Sequence, residues 1–166
     1  MTLSTLNIGQ KLDREISLLL KHSSAVKMDF PVFRDLTYDD FLSDKMLIIS
    51  AIRTGIPYSL FDLIRQESPF SENEWAEFIG LSFKSLQNYR QTSKSFKSVQ
   101  SEKILQIAEV TKTGLEVFED MDKFKLWLNT PSDSLGDLRP RELIKYSYGK
   151  EQLISELTRI SEGTWA

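Results

Sequence analysis

The sequence predicts an all-α fold with a helix-turn-helix near its middle and further helices on both sides of it. Apolar residues recur at helical spacing, and no segment shows the period-2 alternation of a half-buried strand. Serine, aspartate, glycine and proline separate the apolar stripes, as they do where helices begin and end. With 40% apolar and 27% charged residues among 166, the composition argues against a wholly disordered chain. The lack of cysteine excludes a disulfide framework or a thiolate metal site.

Helix start and stop signals give the order of the elements. The first apolar stripe begins at Ile8, and Ser71 followed three residues later by Glu74 has the pattern of a capping box. The expected helices lie at about 7–21, from Ser43 or Asp44 to Gly55, from Pro57 to Ser68, and at about 72–79, 83–91, 101–118, 121–129, 140–147 and 150–161, with a connector at 27–40 and a helix end at Gly163.

The elements group into three expected regions. Residues 1–66 form an N-terminal helical region whose apolar stripes must pack against something, and which is a candidate for dimerisation. Residues 67–118 form a helix-turn-helix region for DNA binding, and residues 119–166 form a C-terminal helical domain.

The charge distribution matters more than the net charge of −3, which taken alone is unusual for a nucleic-acid binder. Residues 83–101 contain Lys84, Arg90, Lys94 and Lys97 and no acid, whereas the preceding segment is rich in glutamate. A local basic patch on an acidic body suits a DNA binder that depends on dimerisation. The alternative is an ordinary solvated basic turn.

The helix-turn-helix is predicted from residue types at set positions. A small residue must lie midway along the first helix, and the turn must tolerate an unusual backbone. Ala76 and Gly80, four residues apart, meet these two needs. The apolar residues expected to lock the two helices together are Trp75, Ile79, Leu81, Leu86 and Tyr89. The alternative is a helical hairpin that is part of an ordinary core.

The second helix of this motif is expected to lie in the major groove of DNA. Its outward residues are expected to be Ser82, Phe83, Lys84, Gln87, Asn88 and Gln91, while Arg90, Lys94 and Lys97 suit phosphate contacts. Phe83 is unusual there and either contacts a thymine methyl or belongs to the core. Because one motif rarely gives useful affinity, we expect a homodimer, or a higher assembly that brings two motifs together.

Nothing in the sequence suggests an enzyme, and we expect no cofactor and no metal. His22 is the sole histidine, and Asp39-Asp40, which has no basic or metal-binding neighbour, is interpreted as a helix N-terminal signal. A Gly-rich phosphate loop, a Ser/His/Asp order and metal-ligand spacing are all absent. The N-terminus lacks the pattern of a signal peptide, and no apolar run reaches the ~18–20 residues of a membrane helix. A soluble, cytoplasmic protein without membrane contact is expected.

From about Ser68 onward the sequence resembles antitoxins of the RES–Xre type, whose toxin-binding domain is called Xre/MbcA/ParS. The resemblance follows an ordered set of residues: the helix-turn-helix, then Gln100-Ser101-Glu102-Lys103-Ile104, Trp127-Leu128, Pro131, Leu135-Gly136, Pro140 with Leu143, Gly149, Leu157, Arg159-Ile160, Gly163 and Ala166. Gly55-Ile56-Pro57 resembles a short family motif before the DNA-binding helices. The chain departs from the family pattern at Arg141, Tyr146 and Gly114, where an apolar residue, Thr and Ala are usual.

The resemblance implies an antitoxin that blocks a RES-domain, NAD-consuming toxin and represses its own operon at operator DNA, within a larger toxin–antitoxin complex. The residues expected to enter or cover the toxin's cleft are Arg159, Glu162, Gly163, Thr164, Trp165 and Ala166. An aromatic residue on a short tether is a good anchor for a pocket, although Trp165 could instead fold back onto its own core. The alternatives are a stand-alone helix-turn-helix regulator and an interaction module that has lost DNA binding.

Overall fold

The computed structural model describes residues 6–22 and 36–163, and these residues form helices joined by short turns. The helices are α1 (Ile8–Lys21), α2 (Tyr38–Leu42), α3 (Lys45–Thr54), α4 (Tyr58–Gln66), α5 (Glu72–Ile79), α6 (Phe83–Thr92), α7 (Ser98–Phe118), α8 (Met121–Leu128), α9 (Pro140–Leu143) and α10 (Ser147–Ser161), with a 3-10 turn at Asp133–Leu135. The described residues contain isolated bridges but no strand. The all-α prediction is therefore confirmed.

Most helix ends were predicted to within a few residues, and the main differences have local causes. The expected connector at 27–40 contains α2, because Thr37 and Asp40 form a reciprocal capping box. Its earlier part, 27–35, lies outside the described residues, as do 1–5 and 164–166. The expected helix at 140–147 ends at Leu143, and α10 begins at Ser147, three residues before its expected start.

A second group of differences concerns caps. Of the two candidates, Asp44 is the residue that caps α3, through hydrogen bonds from the backbone N–H groups of Met46 and Leu47. Ser71 accepts the N–H of Glu74 as predicted, but the Glu74 carboxylate forms an ion pair with Arg141. The capping box predicted for α5 is thus only half formed. Helix α7 begins at Ser98, three residues earlier than expected.

Helix α7 is the central element of the fold. At 21 residues it is the longest helix described, and it packs against α2, α3, α5, α8 and α10. Its buried residues are Ser101, Ile104, Leu105, Ile107, Ala108, Val110, Thr111 and Gly114. Because these positions point in several directions around the helix, α7 is covered on more than one side. The N-terminal helices and the C-terminal helices therefore share one hydrophobic core.

One buried hydroxyl connects three distant parts of the chain. The Oγ of Ser101, on α7, accepts the backbone N–H of Ile56 at 2.9 Å and donates to the carbonyl of Phe96 at 3.3 Å. The N–H of Phe96 in turn donates to the carbonyl of Ile56 at 2.8 Å. Gly55 has φ of +94°, and a Cβ there would lie 2.7 Å from the Phe96 carbonyl oxygen. We call Gly55, Ile56, Phe96 and Ser101 the Ser101 junction.

Glycine at position 114 makes room for an aromatic ring. A Cβ on Gly114 would overlap the ring of Phe124, which is fully buried on α8. That ring stacks on Trp127 at 6.1 Å and on Phe118 at 6.2 Å, so it cannot swing aside without disturbing both. This explains why Gly stands where the resembling family usually has Ala.

We expect Ser101→Ala to destabilise the protein by about 1–3 kcal/mol, because the buried N–H of Ile56 loses its acceptor. Urea unfolding measures the change. Ser98→Ala is the matched control, since Ser98 is an exposed serine in the first turn of the same helix, and its effect should stay within about 0.5 kcal/mol. Equal effects of the two variants would contradict the importance of the junction.

We expect Gly114→Ala to destabilise the protein by about 1–3 kcal/mol through overpacking, in spite of the higher helix propensity of Ala. The same change in a Phe124→Leu background should cost less, because the smaller side chain removes the overlap. Gly9→Ala, on the exposed face of α1, should be neutral or stabilising. A Gly114→Ala cost that Phe124→Leu leaves unchanged would refute the explanation.

Candidate functional site

Helices α5 and α6 form the predicted helix-turn-helix. Gly80 has φ of +75° in the left-handed region, and the N–H of Leu81 donates to the carbonyl of Ala76 at 2.9 Å. Trp75, Ala76 and Ile79 are buried on the first helix, as predicted. Leu86 is buried and Tyr89 is half-buried on the second. The ring of Tyr89 stacks on Phe96 at 4.5 Å, which connects α6 to the Ser101 junction.

Most of the predicted DNA-contact residues are exposed. Ser82 caps α6 by accepting the N–H of Ser85 at 3.0 Å. Phe83 is 47% exposed, so it is a surface residue rather than part of the core. The exposed members of the set are Ser82, Phe83, Lys84, Asn88, Arg90, Gln91, Lys94 and Lys97. Among the described residues, Lys84, Lys94 and Lys97 have no ion-pair partner within 4 Å.

Two of the predicted DNA-contact residues, Gln87 and Arg90, contact the carboxylate of Glu72, which the sequence analysis did not predict to be part of the site. Gln87 is half-buried, and its Nε2 donates to Glu72 Oε2 at 2.8 Å. Arg90 Nη1 lies 3.6 Å from Glu72 Oε1. Glu72 occupies the first turn of α5, where an acid is expected simply to favour the helix dipole. Its sequence position alone gives no sign that it reaches α6.

A second cation, from α4, approaches the same carboxylate. Arg65 Nε lies 4.0 Å from Glu72 Oε1 and also donates to Asp62 at 3.2 Å. Burial alone would lower the pKa of Arg65, but its hydrogen bond to Asp62 and the negative charges of Asp62 and Glu72 raise it. Nearby, burial and then the charge of Asp62 raise the pKa of Tyr58, so the phenol stays neutral.

Helices α8 and α10 pack against α7. Phe124 and Leu128 of α8 and Leu153 and Leu157 of α10 are buried, so these helices have one face fixed in the core. Gly149 lets α10 approach the end of α9, because a Cβ there would overlap the Leu143 carbonyl.

The expected toxin contacts lie at the other end of α10. Arg159 is 49% exposed and pairs with Glu156 at 2.8 Å, while Glu162 and Gly163 are exposed beside it. Thr164, Trp165 and Ala166 lie outside the described residues.

Two family models match this arrangement. Residues 47–109 match the antitoxin Xre-like helix-turn-helix domain, and residues 113–163 match the antitoxin Xre/MbcA/ParS C-terminal toxin-binding domain. The chain belongs to the Xre-type antitoxins. A search of curated proteins found no match. The two matched segments lie on either side of residues 110–112, so both domains of the antitoxin share helix α7.

Arg141 connects the two matched domains of the antitoxin. Its Nη2 lies 2.7 Å from Oε2 of Glu74 on α5, and its Nη1 donates to Asn129 Oδ1 at 2.9 Å. Both charged side chains are about one-third exposed, at 32% and 31%. Arg141 stands where the family usually has an apolar residue, and Glu74 compensates for its charge.

Residues 6–22 and 36–163 lack two further features. No helix among them is long and apolar enough to cross a membrane. The same part of the chain has no cluster of three or more His, Asp or Glu side chains arranged to hold a metal ion. His22, the sole histidine, is an exposed residue at the C-terminal cap of α1.

We expect a double-mutant cycle on Arg141→Met and Glu74→Gln to give a coupling free energy of about 0.5–1 kcal/mol, the value of a well-formed pair near the surface. Thermal or urea unfolding of the four proteins measures it. Arg139→Met is the control, because the Arg139 side chain is exposed and has no ion pair among the described residues. Additive effects would show that the pair does not hold the domains together.

Proposed function

We propose that this antitoxin neutralises a RES-domain, NAD-consuming toxin and represses its own operon through the helix-turn-helix. The observation that carries the proposal is the presence of an antitoxin DNA-binding domain and a toxin-binding domain on one chain, built on a shared helix. The RES class of the toxin comes from the resemblance of the ordered C-terminal residues. The stand-alone regulator has less support, because it has no need of a toxin-binding domain.

For DNA, we propose that the N-terminal end of α6 faces base edges. Ser82, Phe83 and Lys84 are exposed at that end, and Asn88 and Gln91 are exposed further along the helix. Lysine can reach guanine or phosphate, asparagine and glutamine can pair with adenine, and the Phe83 ring suits a thymine methyl. Arg90, Lys94 and Lys97 are proposed to contact the phosphate backbone, which orients the helix without reading sequence.

We propose that the antitoxin binds DNA as a homodimer. One motif offers few phosphate contacts, and the formal net charge of −3 opposes DNA binding outside the basic patch. Two copies on adjacent half-sites would double the number of phosphates neutralised. Residues 1–66, with exposed Met46 and Ile49 on α3, are the candidate dimer contact.

For the toxin, we propose that the C-terminal end of α10 enters or covers the active-site cleft. Arg159, Glu162 and Gly163 are exposed and precede Thr164, Trp165 and Ala166 in the chain. A pocket that accommodates a nucleotide combines cationic groups with apolar walls. The carboxylate of Glu162 suits the cationic groups, and the aromatic side chain of Trp165 suits the apolar walls.

For the DNA-binding surface, we expect Lys94→Gln with Lys97→Gln to reduce the slope of log affinity against log salt by about 0.9 for each phosphate that is no longer neutralised. Electrophoretic shift assays with duplexes from the region upstream of the gene measure this slope. Lys125→Gln, an exposed lysine on α8, is the control and should leave the slope unchanged. A slope that does not differ between the variants would contradict the proposed surface.

For the toxin contacts, we expect removal of residues 163–166 to abolish neutralisation and to leave DNA binding unchanged. The assay is co-expression with the product of the neighbouring gene, with growth, cellular NAD and co-purification as readouts. Removal of residues 1–5 is the matched control truncation. Full neutralisation by the variant lacking 163–166 would refute this role, and a neighbouring product that is neither toxic nor captured would favour the stand-alone regulator.

A further inference from the structure

The carboxylate of Glu72 lies between two helices and receives donors from both. Its Oε2 accepts the Gln87 amide at 2.8 Å, and its Oε1 lies 3.6 Å from Arg90 Nη1 and 4.0 Å from Arg65 Nε. The Glu72 side chain is 24% exposed, so water screens these contacts only in part. The first turn of α5 is thereby connected to α4 on one side and to the recognition helix α6 on the other.

The two cations differ in how firmly they are held. Arg65 is 25% exposed and has a second carboxylate, Asp62, at 2.7 Å. Arg90 is 58% exposed, and within the described residues its ion pair is with Glu72. Arg90 therefore has the freedom to exchange this partner for another anion.

A DNA phosphate is such an anion, and it must compete with Glu72. Lys84, Lys94 and Lys97 carry uncompensated charge, whereas the charge of Arg90 is partly neutralised before DNA arrives. Binding to DNA of any sequence depends on the number of phosphates neutralised, so this pairing weakens it. The effect on base recognition is opposite. The hydrogen bond from Gln87 to Glu72 fixes the amide group and uses one of its N–H groups, so the amide oxygen and the second N–H can still pair with an adenine edge.

We propose that Glu72 is a specificity-determining residue of the DNA-binding surface: it orients Gln87 and competes with phosphates for Arg90, and so lowers affinity for non-operator DNA. This inference rests on the proposed DNA binding. Glu72 acts through Gln87 and Arg90 and is a positioning residue, with no contact of its own to bases.

The test is the salt dependence of binding to a mixed-sequence duplex of about 30 base pairs, long enough for two half-sites. Glu72→Gln keeps the shape of the side chain and an oxygen for Gln87, but removes the charge that holds Arg90. Glu77→Gln is the matched control, because it removes one negative charge from an exposed residue of the same helix that has no ion pair among the described residues. The same substitution at 72 is repeated in an Arg90→Gln background.

We expect Glu72→Gln to steepen the salt slope by about 0.9 relative to Glu77→Gln, which is an extra ~3.5-fold loss of affinity between about 50 and 200 mM salt. The difference should vanish in the Arg90→Gln background. In the wild-type background, Arg90→Gln should reduce the slope by less than Lys94→Gln does, a comparison that stands even if Glu72→Gln folds poorly.

Equal slopes for Glu72→Gln and Glu77→Gln, or a full reduction of about 0.9 for Arg90→Gln, would overturn the inference while leaving DNA binding in place. Weaker binding of Glu72→Gln to every duplex would overturn it too, because that result indicates a purely structural role. If the wild-type protein binds no duplex even at low salt, the proposed function fails, and this inference fails with it.

Discussion

The hydrogen bonds of Ser101 hold the architecture together, because they join backbone from two turns to the central helix. The turn at Gly55-Ile56 joins α3 to α4, and Phe96 lies in the turn that follows α6. A buried hydroxyl satisfies the N–H of one turn and the carbonyl of the other, so neither polar group is left unpaired in the core. Because Tyr89 stacks on Phe96, the orientation of α6 depends on this junction as well.

Two carboxylates of helix α5 contact other parts of the fold. Glu72 faces the recognition helix, and Glu74, two residues later, pairs with Arg141 of the toxin-binding domain. The eight-residue helix thus contacts both parts of the antitoxin, while its buried Trp75 and Ile79 fix it in the core.

The sequence allowed the helices and the helix-turn-helix to be predicted because their determinants are local. Asp44, Gly55 and Gly80 act on residues within one helical turn, and the apolar stripes have a period that is visible in the chain. The missed helix α2 also has a local signal, the capping box at Thr37, but neighbouring proline and charged residues obscured its five residues.

The unpredicted part of the candidate site depends on side chains far apart in sequence. Glu72 meets Gln87 across 15 positions, and Arg141 meets Glu74 across 67, with no periodicity that relates either pair. The sequence shows Arg141 only as a departure from a family pattern. The ion pair by which Glu74 compensates for the charge of Arg141 is visible only in the structure. Ser101 was noticed as part of a motif, yet its role as acceptor for Ile56 emerges only from the packing of three segments.

The central claim is that the described helices form one cooperative unit around α7 and the Ser101 junction. Native-state hydrogen exchange at the backbone amides of Ile56 and Phe96 tests it most directly, because these two N–H groups close the junction. We expect both amides to exchange only through global unfolding, with the same free energy as the buried amides of α7 and α10. Exchange of Ile56 and Phe96 at a clearly lower free energy, while α7 and α10 stay protected, would show that the N-terminal helices unfold separately and would contradict this account.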